Sequence, residues 1–170
     1  MPSSRRIIRQ SPYFTEPEFP GNVLDYMHPR VITLLTTIRA EAGTPIYPSP
    51  IARAHVRHEK SGSRHSTHNG ERLSDATDFF ISWPGLALAL PVIYNQPTTG
   101  GVGIYTDMVY NGADPGGWAM IHLDTRPDSL KWVAWRDSLS DPLHYEYAVN
   151  DHDKYERILR QRSPLFDYMD

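Results

Sequence analysis

Apolar positions along the chain fall into two rhythms. Between Pro29 and Gly43, residues Val31, Leu34, Leu35 and Ile38 recur at i, i+3, i+4 and i+7, the spacing of one helix face. His28-Pro29 opens this helix, and Gly43 supplies the residue that most readily takes the left-handed turn of a helix stop. From Thr44 the rhythm shortens to that of strands. Strands are predicted at Pro45–Tyr47, Ala76–Ile81, Gly101–Thr106, Trp118–Asp124 and Lys131–Arg136. Ser82-Trp83-Pro84 begins a helix running toward Tyr94, with a kink expected at Pro91. A last helix starts near Asp151 and turns Tyr155, Ile158 and Leu159 inward. Near the other end, Thr15 and Glu18 have the spacing of a capping box. Residues 1–12 show no rhythm and are expected to form a flexible arm, which leaves 13–170 as a single domain. Helices at both ends and strands between them predict an α+β fold, a small, mostly antiparallel sheet with flanking helices.

Composition narrows the classes of function. With 170 residues and 39% apolar content, one hydrophobic core can form. A net charge of −3 sets up no field that would draw nucleic acid or an anionic membrane, so neither is expected as a partner. No apolar run reaches the roughly 18 residues of a membrane span, and the N-terminus lacks the apolar stretch of a secretory signal. The absence of cysteine excludes disulfides, thiolate metal sites and cysteine nucleophiles. A metal, if one is held, must sit among nitrogen and oxygen donors.

Such donors interrupt otherwise apolar strands. In WAMIHLD, alternation places Trp118, Met120, His122 and Asp124 on one face and Ala119, Ile121 and Leu123 on the other. A histidine beside a carboxylate at a strand end is a candidate site, although Asp124 alone could satisfy a core histidine. Asp78 enters the strand ATDFFI, where a carboxylate needs a partner. A cation would serve, and so would Arg53, Arg57 or Arg64. Upstream, SGSRHSTHNG carries His65 and His68, which taken alone read as a solvated loop. Taken together, one of these histidines, Asp78 and His122 give two nitrogens and one oxygen. That set suits Zn²⁺ held by three protein ligands with the fourth position open to water.

These segments resemble the zinc-binding signature of the M15 peptidases, the D-alanyl-D-alanine carboxypeptidases and related endopeptidases. The family pattern is S-x-H-x-x-G-x-A-x-D, then a G-x-G-I-Y strand, then an apolar strand ending in H-[VIL]-D. The matching residues here are Ser63-Arg64-His65 or Ser66-Thr67-His68, then Ser74 to Asp78, Gly101 to Tyr105, and Ile121 to Thr125. The Trp-rich strand that follows and Tyr13-Phe14-Thr15 near the start are also similar, so the resemblance spans about residues 13–136. It implies a Hedgehog/DD-peptidase-like fold and zinc held by His65 or His68 with Asp78 and His122. It further implies hydrolysis of peptidoglycan stem or cross-link peptides by a metal-activated water. Arg53 is the better match to the family arginine that steadies the substrate's carboxylate or polarised carbonyl, with Arg57 the alternative. Tyr105 would line the cleft or pack in the core.

Two departures from the pattern carry weight. The ligand histidine and aspartate, seven positions apart in the family, are thirteen apart from His65 and ten from His68, an insertion at the turn. The family also places a glutamate three residues before the last histidine, or a histidine two before it. Here those positions are Ala119 and Met120, and neither takes a proton. The general base then falls to Asp124, to the unused histidine, or to no residue at all, and Asp124 can instead orient His122. The alternative reading is therefore a metal-binding structural or cell-wall-binding module with weak or lost catalysis. Lacking an export signal of its own, the protein is expected to be phage-encoded. It would be made in the host cytoplasm or carried in the virion beside other virion proteins, and would act at the cell wall. A third reading takes His122-x-Asp124 as the start of a non-haem iron triad, for which only His144 and His152 follow as a distal ligand.

Overall fold

The computed structural model describes residues 3–19, 23–49, 73–108, 110, 115–138, 140–149 and 151–169. Six strands form one sheet: β1 (Tyr47–Pro48), β2 (Ala76–Ser82), β3 (Gly101–Tyr105), β4 (Trp118–Asp124), β5 (Leu130–Trp135) and β6 (His144–Tyr147). Their spatial order is β1-β2-β4-β3-β5-β6. Only β3 and β5 run parallel; the other neighbours are antiparallel. The architecture is α+β with a mostly antiparallel sheet, as the pattern of elements predicts. β4 has the predicted bounds, β2 and β3 differ from theirs by one residue at one end, and β5 is shifted by one residue at both ends.

The helices are α1 (Ser4–Gln10), α2 (Val23–Tyr26), α3 (Pro29–Ala42), α4 (Trp83–Asn95) and α5 (His152–Arg162). Each longer helix starts where its cap residue directs. His28 Nδ1 accepts from the Arg30 amide ahead of α3, Ser82 caps α4, and Asp151 caps α5. Gly43 ends α3 with φ +61°, a conformation that costs glycine little. Among the described residues no helix is long and apolar enough to cross a membrane.

Alternation along the strands divides the sheet into two faces. Phe79, Ile81, Val102, Ile104, Ala119, Ile121, Leu123 and Val133 point to one side. There they join Leu35 and Ile38 of α3, Leu86 and Ile93 of α4, and Tyr155 and Leu159 of α5 in one hydrophobic cluster. Burying apolar surface contributes about 25 cal/mol per Å², so this layer fixes the sheet. The opposite face carries Asp78, His122 and Asp124, and the candidate chemistry stands on it.

Residues 4–10, expected within a flexible arm, form α1 instead. Ser3 caps the helix, and Ile8 is buried in the core. Arg5 spans two other segments, donating to Glu16 at 2.7 Å and to Asp25 at 2.8 Å. Hydrogen bonds from Arg9 and Arg5 hold the Glu16 carboxyl below its ordinary range, and one from Arg5 does the same for Asp25. Carboxylates held low in the folded state stabilise it fully above their ordinary values near ~4 and lose that contribution as pH falls through the folded ones. The acid limb of a melting-temperature profile is therefore expected to flatten in Arg5→Met, whose folded carboxylates sit closer to their unfolded values.

Candidate functional site

The register of β2 against β4 builds the centre of the site. Asp78 pairs directly with His122, Ala76 with Asp124, and Phe80 with Met120. Residues paired in this way share a face, so two side chains 44 positions apart in sequence meet. His122 Nδ1 lies 2.9 Å from Asp78 Oδ1, and its Nε2 lies 3.3 Å from Asp124 Oδ2. All three residues are buried. Burial alone would lower the His122 pKa. The hydrogen bonds with Asp124 and Asp78 outweigh it and push the ring up to about 9.

Asp124 is held from four directions. Its Oδ1 accepts the Gly101 amide at 2.7 Å and the Arg126 amide at 3.0 Å. Arg126 Nε reaches Oδ2 at 2.7 Å, and its Nη2 contacts the same oxygen. His122 completes the set. Burial alone would raise the Asp124 carboxyl, but the bonds from His122, Arg126 and Gly101 outweigh it and hold it far below the usual carboxylate range. Asp124 is fully buried and its oxygens are engaged. It fixes the tautomer and tilt of His122, as a carboxylate behind a metal-ligating histidine does.

Glycines on β3 make the space. Gly103 pairs with His122 on one side and with Trp132 on the other. A methyl group at Gly103 would run into the Trp132 indole, and one at Gly101 into the Asp124 carboxylate. The bare strand lets the indole lie across it, with the His122 and Trp132 ring centres 5.1 Å apart. Gly103→Ala is expected to displace the indole and destabilise the fold by about 1–3 kcal/mol, read as a lowered melting temperature.

Aromatic side chains continue the face on both sides. Toward β1, Tyr110 packs on Tyr47 at 5.2 Å, Phe80 at 5.1 Å and Trp118 at 4.7 Å. Toward β6, Trp132 meets Tyr147 at 6.1 Å, and Tyr105 meets Tyr145 at 6.1 Å. Tyr145 and Tyr147 are about half exposed. Rigid aromatic walls around a polar centre are a common lining for ligand sites.

The predicted site residues thus divide. Asp78, His122 and Asp124 are brought together, and the partner of Asp78 expected among the arginines includes the His122 ring. His65, His68, Arg53, Arg57 and Arg64 lie outside the described residues. Among the described residues no group of three or more His, Cys, Asp or Glu side chains forms a metal cage. Asp78 and His122 nonetheless fit two of the expected donors, because a carboxylate oxygen and a ring nitrogen face each other where a divalent cation can replace the shared proton. His144 and His152 do not reach this centre. His144 stacks on Trp135 and faces Asp137, and His152 sits on α5 beside Glu156 and Tyr94. Arg126 and Trp132 were not predicted. Their sequence signals are an arginine two positions after Asp124 and a G-x-G strand whose bare face needs a covering ring.

Against protein-family models, curated proteins and solved structures, the chain gives no match.

Proposed function

We propose that this protein is a zinc-dependent peptidase of the M15 type, with a Hedgehog/DD-peptidase-like fold, that hydrolyses peptidoglycan stem or cross-link peptides. The observation that carries the reading is the direct pairing of Asp78 with His122, with Asp124 locked behind the ring. The motif order Asp78, Gly101-Val102-Gly103-Ile104-Tyr105, His122-Leu123-Asp124 supports the same assignment.

Asp78 and His122 would hold the ion together with His65 or His68. Zinc held there would supply Lewis-acid chemistry, polarising the scissile carbonyl and lowering the pKa of a water at neutral pH. The protein's own groups do the rest. Asp124, held by Arg126 and Gly101, keeps the His122 ring in one orientation. It is a positioning residue, because its engaged oxygens leave no room to take a proton from water. The general base in this reading is the member of the His65/His68 pair that does not bind the ion. Arg53 steadies the substrate's terminal carboxylate or its developing oxyanion. The aromatic side chains on either side of this centre would hold the peptide.

A second reading keeps the metal and drops the catalysis, leaving a structural or cell-wall-binding module of a virion. Met120 favours it: it stands on the site face two residues before His122 and cannot accept a proton, while Ala119 is buried in the core. Incubating the zinc-loaded protein with purified peptidoglycan, with and without chelator, separates the two. The peptidase reading predicts chelator-sensitive release of new amino termini. Stoichiometric zinc with no release from any stem or cross-link peptide supports the module instead. In either case a phage origin and action at the cell wall belong to the proposal.

A further inference from the structure

β6 carries two tyrosines that the core does not use. Tyr145 is 47% exposed and Tyr147 49%. Val149, 58% exposed, continues the same alternation, so these side chains form a patch and not a scatter. The strand beneath them is fixed. Its backbone pairs with β5 from Trp132 to Trp135. On its other side Glu146 meets Lys154 of α5 at 3.6 Å, and Lys154 Nζ donates to the Tyr147 carbonyl oxygen at 2.8 Å.

The two rings are set in place by their neighbours. Their planes lie 16° apart with centres 6.5 Å apart. Tyr105 meets Tyr145 edge-on at 6.1 Å, and their phenols share a hydrogen bond. Trp132 supports Tyr147 at 6.1 Å. Rings held in this way lose little freedom when a ligand settles on them. The patch is also continuous with the candidate site. Register carries one row across the sheet from Tyr147 through Trp132 and Gly103 to His122. From His122 the ring centres step 5.1 Å to Trp132, 6.1 Å to Tyr147 and 6.5 Å to Tyr145.

We infer that Tyr145 and Tyr147 form a platform for the glycan strand of peptidoglycan, each ring stacking against the C–H face of an N-acetylhexosamine. This rests on the peptidoglycan reading of the site and adds to it the part of the polymer that β6 receives. A pyranose has a flat face of C–H groups and a rim of hydroxyls, which matches the apolar face and polar tip of a tyrosine. Stem peptides, built of alanine with acidic and diamino residues, present no flat apolar face. The side chains that β6 turns this way carry no charge, which suits a neutral acetylated sugar, while the charged Glu146 turns to Lys154 on the other side. The reach also agrees. A stem of four or five extended residues spans about 13–18 Å, enough to join a sugar on β6 to a scissile bond beside His122.

The test uses the N-acetylglucosamine tetramer, a glycan with no peptide attached, and measures its Kd by calorimetry for the full chain and for leucine and phenylalanine variants at each tyrosine. Leucine keeps apolar bulk and removes the flat ring; phenylalanine keeps the ring. Expected is binding by the wild type, weakened about five- to tenfold in Tyr145→Leu and in Tyr147→Leu. Tyr145→Phe and Tyr147→Phe should stay closer to the wild type than the leucine variants do. A second reading needs no variant: in tyrosine-labelled wild type, the tetramer should shift the ring resonances of Tyr145 and Tyr147. No binding by the wild type, equal Kd in the leucine variants, or shifts confined to other tyrosines would overturn the inference. A wild type that binds the tetramer but releases no amino termini from peptidoglycan would sink the peptidase reading alone. One that cleaves but does not bind the tetramer would sink the platform alone.

Discussion

On the proposed peptidase reading, Asp78→Asn is expected to abolish peptide hydrolysis while leaving the fold intact. The amide fills the space of the carboxylate and can still hydrogen-bond His122 Nδ1, at 2.9 Å in the parent chain. It brings no charge, however, and a neutral amide oxygen is a poor zinc donor beside a carboxylate. Losing a group that merely orients a ligand already costs about 10–100-fold in metal affinity or activity. Losing a ligand itself should cost more, so a fall of more than about a hundredfold in kcat/KM is predicted. Circular dichroism and melting temperature should stay near the wild type, because Asp78 is paired within the sheet through its backbone and the substitution leaves that pairing alone. A variant that keeps wild-type activity would remove Asp78 from the site.

Asp124→Ala is expected to damage stability rather than chemistry alone. Its carboxylate is fully buried and binds His122, the Gly101 amide and both the amide and guanidinium of Arg126. Removing one partner of a buried ion pair leaves the other charge uncompensated, which costs about 3–5 kcal/mol. For a chain of this length, that is a drop in melting temperature of roughly 6–20 °C. Asp124→Asn should recover part of the loss, since it keeps an acceptor for Gly101 while giving up the charge that faces Arg126. If Asp124 served mainly as a general base, the order would invert: melting would stay nearly unchanged and activity alone would collapse.

Much of this site was legible along the chain because strand alternation is a strict rule. WAMIHLD has one buried apolar face and one polar face, so His122 and Asp124 could be placed side by side from the sequence. That Asp78 stands opposite His122 was not legible, because register between strands so distant in sequence depends on how the sheet assembles. β6 was missed for a physical reason. HYEY has no buried apolar stripe, with His144, Tyr145 and Tyr147 exposed, and the strand exists through its pairing with β5. α1 was missed because SRRIIRQ has only two apolar residues, while its anchors, Glu16 and Asp25, come from other segments. Arg126 was overlooked for a similar reason: in sequence it is only an arginine in a turn, and its value lies in the buried carboxylate it faces.

The most direct measurement is the metal content of the purified protein by elemental analysis, in the wild type beside Asp78→Ala and His122→Ala. The account predicts about one zinc per chain in the wild type and little in either variant, with all three folded by circular dichroism. Equal metal content in all three proteins, or a folded wild type that takes up no zinc when it is supplied, would contradict it.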